Sequence, residues 1–144
     1  MVAVWAIFIE RQLFVVRKES IKVLPKGSTS FTVLQIGDIH LAPWQKSKQR
    51  FIKELAKLPI DLVVNTGDNL GHTRAIDPLL DCLAPLLQRP GVFVNGSNDY
   101  YAPIPKNPVS YIFQASEAPK SSRLETGKMT SAFEKAGWLN LNNQ

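Results

Sequence analysis

The sequence has few cysteines and histidines, the side chains from which proteins build disulfides and many metal sites. It contains one cysteine, Cys82, and two histidines, His40 and His72. A single cysteine excludes an internal disulfide and a cysteine-based zinc site, so no oxidising compartment is required. A cytoplasmic protein is therefore expected.

The sequence also lacks an apolar run long enough to cross a membrane. The run VAVWAIFI at residues 2–9 is far shorter than the roughly 20 apolar residues of a membrane-spanning helix. It lacks the basic residues and the small-residue cleavage site of a secretory signal. We predict that residues 1–30 form a short helix, packed on the domain or lying on a membrane surface, and then an edge strand containing Ile21 and Val23, with a turn at Pro25 and Gly27.

What the sequence does contain is enough apolar material for one folded domain, which we expect in residues 31–144. Its 144 residues are 44% hydrophobic, and 17 Lys and Arg residues against 12 Asp and Glu residues give a formal net charge of +5. Positive charge favours anionic partners such as phosphates, nucleic acid or an acidic membrane surface. Charge does not choose among these, and no specific nucleic-acid motif is present.

Three apolar, β-branched runs end in the same way. FTVLQI continues into Gly37-Asp38-Ile39-His40, DLVVNT into Gly67-Asp68-Asn69, and GVFVN into Gly96-Ser97-Asn98-Asp99. Runs that are apolar on both faces suit parallel strands buried between helices. We therefore predict three parallel strands with polar loops at their ends.

The segments between these runs have helical patterns. KSKQRFIKELAKL places its apolar residues on one stripe and ends at Pro59, and AIDPLLDCLAPLL tolerates Pro78 in its first turn and ends or kinks at Pro85. Asp38, Asp68 and Asn98 lie 30 residues apart, close to the length of a βαβ unit. The predicted fold class is α/β, a βαβαβ parallel sheet flanked by helices.

The polar residues after the strands are predicted to meet. Ligands of parallel α/β sheets bind outside the carboxyl ends of the strands. Residues two apart on a strand point the same way, so Asp38 and His40 are expected to reach one point. The full converging set is Asp38, His40, Asp68, Ser97, Asn98 and Asp99. Carboxylate, imidazole and amide groups around one point suit a divalent ion such as Mn, Fe or Zn, and a second carboxylate can bridge two ions.

At these residues the sequence resembles the calcineurin-like metallophosphoesterases, closest to their bacterial phosphodiesterase-like branch, over residues 31 to about 101. That family carries DxH, GD and GNH[DE] motifs, followed by later histidines in GHxH. The resemblance implies the first half of a four-layer fold and hydrolysis of phosphate esters by water activated by two metal ions. It implies that Asp38 and His40 bind one metal, that Asp68 bridges both, and that Asp68, Asn98 and Asp99 form the catalytic set. The implied substrate is a small phosphate ester or a phospholipid-like molecule.

The sequence departs from this family at two places. Ser97 stands where the family has Asn, and Asn98 stands where it has His. Asn98 is therefore the candidate replacement ligand for the second metal, which is expected to bind more weakly. The histidine that would act on the leaving group is missing. The late histidines are absent, and the tail is predicted to be a helix with Met129, Phe133 and Ala136 that ends at Gly137, followed by a strand at residues 138–141. We expect a C-terminally truncated domain, poorly active alone and prone to self-association.

Other interpretations compete with the metal site. Asp38 and His40 fit a plain turn, His72 fits either a loop or a contact with metal or substrate, and Cys82 fits a core position better than a reactive one. Residues 100–123, including Tyr100, Tyr101, Lys106, Lys120 and Arg123, fit either a flap over the crevice or an irregular loop. The alternative function is a noncatalytic domain whose crevice binds anions or a partner.

Overall fold

A four-stranded parallel sheet forms the centre of the protein. The computed structural model describes residues 13–101 and 123–143. The strands lie in the order β1-β2-β3-β4 and all neighbouring pairs are parallel. Their bounds are Val33–Ile36 for β1, Leu62–Asn65 for β2, Gly91–Phe93 for β3 and Leu139–Asn140 for β4. The predicted α/β class with parallel strands is confirmed.

Helices fill the connections between consecutive strands. They are α1 at Lys46–Leu55, α2 at Ile76–Leu83, the short α3 at Ser97–Tyr100 and α4 at Thr126–Lys135. Helix α1 contacts α2, and α2 contacts α4, as expected when right-handed crossovers between sequential strands place successive helices in one layer. None of the helices in the described residues has the length and apolarity needed to cross a bilayer.

The core lies between this helix layer and the sheet. The predicted apolar stripes are confirmed, because Ile52 and Leu55 of α1 and Leu79 and Leu83 of α2 are buried. Cys82 is also fully buried, as expected for a core position. Helix α1 ends before Pro59, and α2 contains Pro78 in its first turn and ends before Pro85, because proline removes a backbone donor and clashes with the preceding turn.

The C-terminal segment supplies β4, the strand beside β3, and packs α4 against the sheet. Phe133 of α4 contacts both Phe93 of β3 and Trp138, with ring centroids 5.1 and 5.3 Å apart. The helix ends where Gly137 adopts φ +93°, as predicted. Ala136 is exposed, in contrast to the predicted stripe, because it follows the last helical residue and turns away from the core.

The expected N-terminal edge strand is wrong for the residues that the structure describes. Residues 13–24 form no strand, and Ile21 and Val23 are each 76% exposed. The Val23 N–H donates to the carbonyl of Ile21, a local contact that replaces ladder pairing with a neighbouring strand. The predicted turn does form, with Gly27 at φ +87°, whereas the helix predicted within residues 2–9 lies outside the described residues.

Candidate metal centre

The loops after β1 and β2 remain paired beyond the ends of their strands. The Asp38 N–H donates to Gly67 O at 2.9 Å, and the His40 N–H donates to Asp68 O at 3.0 Å. A parallel bridge between Leu41 and Leu70 closes this extension. Backbone hydrogen bonds therefore hold the first two motifs side by side at the carboxyl edge of the sheet.

Asp38, His40 and Asp68 converge at this edge, as predicted. Each offers one ligand atom, and the three atoms all lie within 4.8 Å of one another. His40 Nε2 lies 3.7 Å from Asp38 Oδ1, and both side chains face solvent. The group is accessible to an ion from outside.

The reason for this convergence differs from the one that the sequence suggested. Strand β1 ends at Ile36, so the alternation of a strand does not orient Asp38 and His40. Instead Asp38, His40 and Asp68 adopt φ values of 48°, 42° and 53°. Left-handed backbone is uncommon for residues with a Cβ and persists where surrounding contacts enforce it, often at functional sites.

The third loop contacts this group through its backbone. The Asn98 N–H donates to Asp68 Oδ1 at 2.8 Å. A Cβ atom at Gly96 would overlap the same carboxylate oxygen, so Gly96 permits the close approach of Asp68. One oxygen of the Asp68 carboxylate is thus held by the third loop.

The remaining predicted residues of the third loop occupy different environments. Ser97 is exposed and the Asn98 residue is half-buried beside Asp68, whereas Asp99 is fully buried. Burial raises the pKa of the Asp99 carboxyl, and hydrogen bonds from Gly96 and Asn69 oppose that rise. Asp99 therefore lies behind the loop rather than on its open side.

Sequence reasoning did not identify a pair of buried amides beneath Asp68. Asn65 Nδ2 donates to Asn69 Oδ1 at 2.8 Å, and Asn69 Nδ2 lies 3.2 Å from Asn65 Oδ1. Asn65 Oδ1 also accepts the Gly67 N–H at 2.9 Å. The only signal in the sequence was two asparagines four residues apart in NTGDN, at the end of an apolar strand.

His72 lies on the rim of this edge and is not a member of the three-residue group. Its Nδ1 accepts the Arg74 N–H at 3.1 Å, and its ring meets Trp44 edge-on with centroids 5.0 Å apart. Trp44 is 64% exposed. Of the predicted flap, Tyr101 and Arg123 form a short antiparallel bridge, and residues 102–122, including Lys106 and Lys120, lie outside the described residues.

The donor set fits one divalent cation. Two carboxylates and one imidazole are ligand types that Mn, Fe and Zn accept, and their spacing lets them surround a single ion. Within the part of the chain that the structure describes, this is the one group of three or more His, Cys, Asp or Glu side chains arranged in this way. A further ligand from the third loop would have to come from an amide or hydroxyl.

Comparison with known families agrees with this geometry. The model of the calcineurin-like phosphoesterase family matches residues 31–139. No curated protein sequence and no solved structure matches the chain significantly. The family match covers more than half of the chain and includes all three loops and the candidate metal ligands. The chain therefore belongs to the calcineurin-like phosphoesterase family.

Proposed function

We propose that this chain carries a metal-dependent phosphoesterase site that hydrolyses phosphate monoesters or diesters. The observation that supports this proposal is the group formed by Asp38, His40 and Asp68, whose ligand atoms lie within 4.8 Å of one another at the carboxyl edge of a parallel sheet. This edge is where α/β proteins bind their ligands. Membership of the family implies the same class of reaction.

Each residue of the group has a definite part in this proposal. Asp38, His40 and Asp68 would hold one divalent ion, each through one ligand atom, and the Asn98 N–H orients the Asp68 carboxylate. A divalent ion bound there supplies positive charge to a phosphoryl oxygen and makes water a nucleophile near neutral pH. Asn98 is our candidate ligand for a second ion, because an amide oxygen is a better ligand than the hydroxyl of Ser97.

A nucleophile from the protein is not required, and the only cysteine is unsuitable for that role. Cys82 is fully buried in α2, and burial raises the pKa of its thiol to about 12. A thiol in this environment stays protonated and unreactive. This supports attack by water rather than a covalent cysteine intermediate.

The substrate class is proposed from charge and access. The net charge of +5 favours an anionic substrate. The solvent-accessible group of Asp38, His40 and Asp68 admits a small phosphate ester or a phospholipid-like headgroup. We also propose that the protein is cytoplasmic and contacts a membrane surface peripherally. Within the family, we propose that it belongs to the bacterial branch.

One observation favours a second function, a noncatalytic domain that binds a metal and an anion. Where the family has a histidine that acts on the leaving group, this chain has Asn98, and an amide cannot transfer a proton at neutral pH. The site would then bind phosphate esters without hydrolysing them.

Hydrolysis of a chromogenic phosphodiester with added Mn²⁺ separates the two functions. The enzyme hypothesis predicts turnover that requires Mn²⁺ and is lost in Asp68→Asn, whereas Asp81→Asn removes an exposed carboxylate that pairs with Lys53 and leaves turnover unchanged. Metal binding without turnover would favour the noncatalytic domain. Turnover that persists in Asp68→Asn would contradict the proposed site.

A further inference from the structure

We propose that Asp99 is a positioning residue whose buried carboxylate fixes the backbone on both sides of Asp68 and so sets the geometry of the metal group. This inference rests on the proposed metal site. It replaces the expectation that Asp99 belongs to the catalytic set. The fully buried carboxylate is surrounded by the protein, so it cannot contact substrate unless the loop is rebuilt.

The carboxylate of Asp99 first fixes the residues that follow Asp68. Its Oδ1 accepts the Asn69 N–H at 2.8 Å and the Leu70 N–H at 3.2 Å. Its Oδ2 accepts Asn69 Nδ2 at 3.1 Å. These contacts cross about 30 residues of sequence and join the loop after β3 to the loop after β2.

The same network then reaches the residue that precedes Asp68. The Asn69 side chain, held by Asp99, pairs with the Asn65 side chain, and Asn65 Oδ1 accepts the Gly67 N–H. Both peptide neighbours of Asp68 are thereby anchored to buried side chains. This explains how Asp68 is kept in its left-handed conformation at φ 53°.

Asp99 also shapes the loop that touches the Asp68 carboxylate. Its Oδ2 accepts the Gly96 N–H at 3.0 Å, and its carbonyl accepts the hydroxyl of Thr126 in the first turn of α4. Between Gly96 and Asp99 lies Asn98, whose N–H binds Asp68 Oδ1. One buried residue therefore controls both the backbone of Asp68 and the donor that orients its side chain.

Only a carboxylate satisfies this arrangement. Four donor groups point at the two oxygens of Asp99, two at each oxygen. In Asp99→Asn one oxygen becomes an NH₂ group, which leaves two buried donors facing another donor. Because buried donors without a partner are unfavourable, the loops are expected to shift and the ligand atoms to separate.

The test compares Asp99→Asn with Leu83→Ala in the full chain. Leu83 is a buried residue at the C-terminal end of α2, toward the opposite edge of the sheet, so its truncation lowers stability without touching the network. We expect Asp99→Asn to weaken Mn²⁺ binding by about tenfold or more, the effect typical of residues that orient metal ligands, and Leu83→Ala to leave it within about twofold. The second measurement, made without metal, is hydrogen exchange of the Asn98 amide, which should lose protection in Asp99→Asn relative to amides of α2.

The outcomes separate this proposal from the proposed function. If the wild type does not bind Mn²⁺, the proposed metal site is wrong. The hydrogen exchange of the Asn98 amide, which is measured without metal, still tests whether Asp99 positions the loops. Should Asp99→Asn not fold, Asn69→Ala, which keeps the three backbone donors of Asp99, is expected to show a smaller loss in both measurements. A folded variant of either kind with wild-type affinity and wild-type Asn98 protection would overturn the proposal.

Discussion

At the scale of single residues, the candidate site depends on how closely the third loop approaches Asp68. Gly96 has an ordinary extended backbone, so an alanine at this position meets no conformational penalty. The added Cβ would nevertheless overlap the Asp68 carboxylate. The requirement for glycine here is therefore one of space.

Gly96→Ala is predicted to displace the Asp68 side chain and to weaken Mn²⁺ binding by about tenfold or more, because supporting contacts of this kind are worth one to two orders of magnitude in affinity. Gly127→Ala is the matched control, since a Cβ there meets no atom within 4 Å. Calorimetric titration of both variants measures the effect. Equal affinities in the two variants would show that the contact with Gly96 does not matter.

Cys82 gives a second prediction at this scale. Because burial raises the pKa of its thiol to about 12 from an ordinary value of 9.0, the native protein should react very slowly with a thiol reagent at about pH 8. The folded state favours the protonated thiol of Cys82. The contribution of this preference to the free energy of unfolding is therefore complete below pH 9.0 and is lost as the pH rises toward 12. Rapid labelling without denaturant, at the rate seen in guanidinium, would contradict this.

The sequence predicted that Asp38, His40 and Asp68 meet, but it did not predict the contacts that support them. Asp38, His40 and Asp68 stand out because they follow apolar strands, and the topology brings such residues together. The role of Asp99 did not emerge, because it depends on which N–H groups surround the carboxylate once the loops have folded. Spacing alone does not carry that information.

At the scale of helices and strands, α4 and β3 contain glycines with opposite demands. Gly127 is exposed in the first turn of α4 and has open space around it. Gly91 of β3 lies against the ring of Trp138, where a Cβ would overlap the indole. The first glycine weakens its helix, whereas the second makes room for the core.

Gly127→Ala is predicted to raise the free energy of unfolding by about 0.5–1 kcal/mol, because alanine loses less backbone entropy in a helix. Gly91→Ala is predicted to lower it, by about 1–3 kcal/mol if the core responds as to other overpacked sites. Urea unfolding followed by circular dichroism measures both. Destabilisation by Gly127→Ala would mean that α4 begins later than Thr126.

The helices and central strands were predictable because the apolar periodicity and the positions of the prolines indicate the same element boundaries. The N-terminal stretch shows the limit of that reasoning. Ile21 and Val23 alternate as in a strand, yet these residues make no ladder with β1, because alternation indicates which residues share a face and does not supply a partner. Residues 13–24 consequently stay irregular, and all of them except Phe14 are exposed.

At the scale of the whole molecule, the two faces of the sheet differ. The face toward the helices buries Val63 and Phe93, whereas residues of the opposite face are half-buried or exposed. Val33 and Leu139 on that opposite face are 49% and 64% exposed, and Leu141 beyond β4 is 45% exposed. Parallel sheets normally have both faces covered, so the self-association expected from the sequence is predicted to use this exposed face.

Self-association should therefore increase with concentration and depend on this face. Leu139→Lys combined with Leu141→Lys is predicted to keep the protein monomeric, because it places charge on the contact surface. Leu13→Lys is the control, since Leu13 is equally apolar and 61% exposed but lies outside the sheet. Light scattering coupled to size-exclusion chromatography gives the mass, and identical self-association of both variants would exclude this face as the interface.

Calorimetric titration with Mn²⁺ decides whether Asp38, His40 and Asp68 form a metal site. The wild type is expected to bind Mn²⁺. Binding should be lost in Asp38→Ala and Asp68→Asn and kept in Asp81→Asn, because the exposed Asp81 lies on α2 and pairs with Lys53. Equal Mn²⁺ affinity in the wild type and in Asp38→Ala would show that the proposed metal site is wrong.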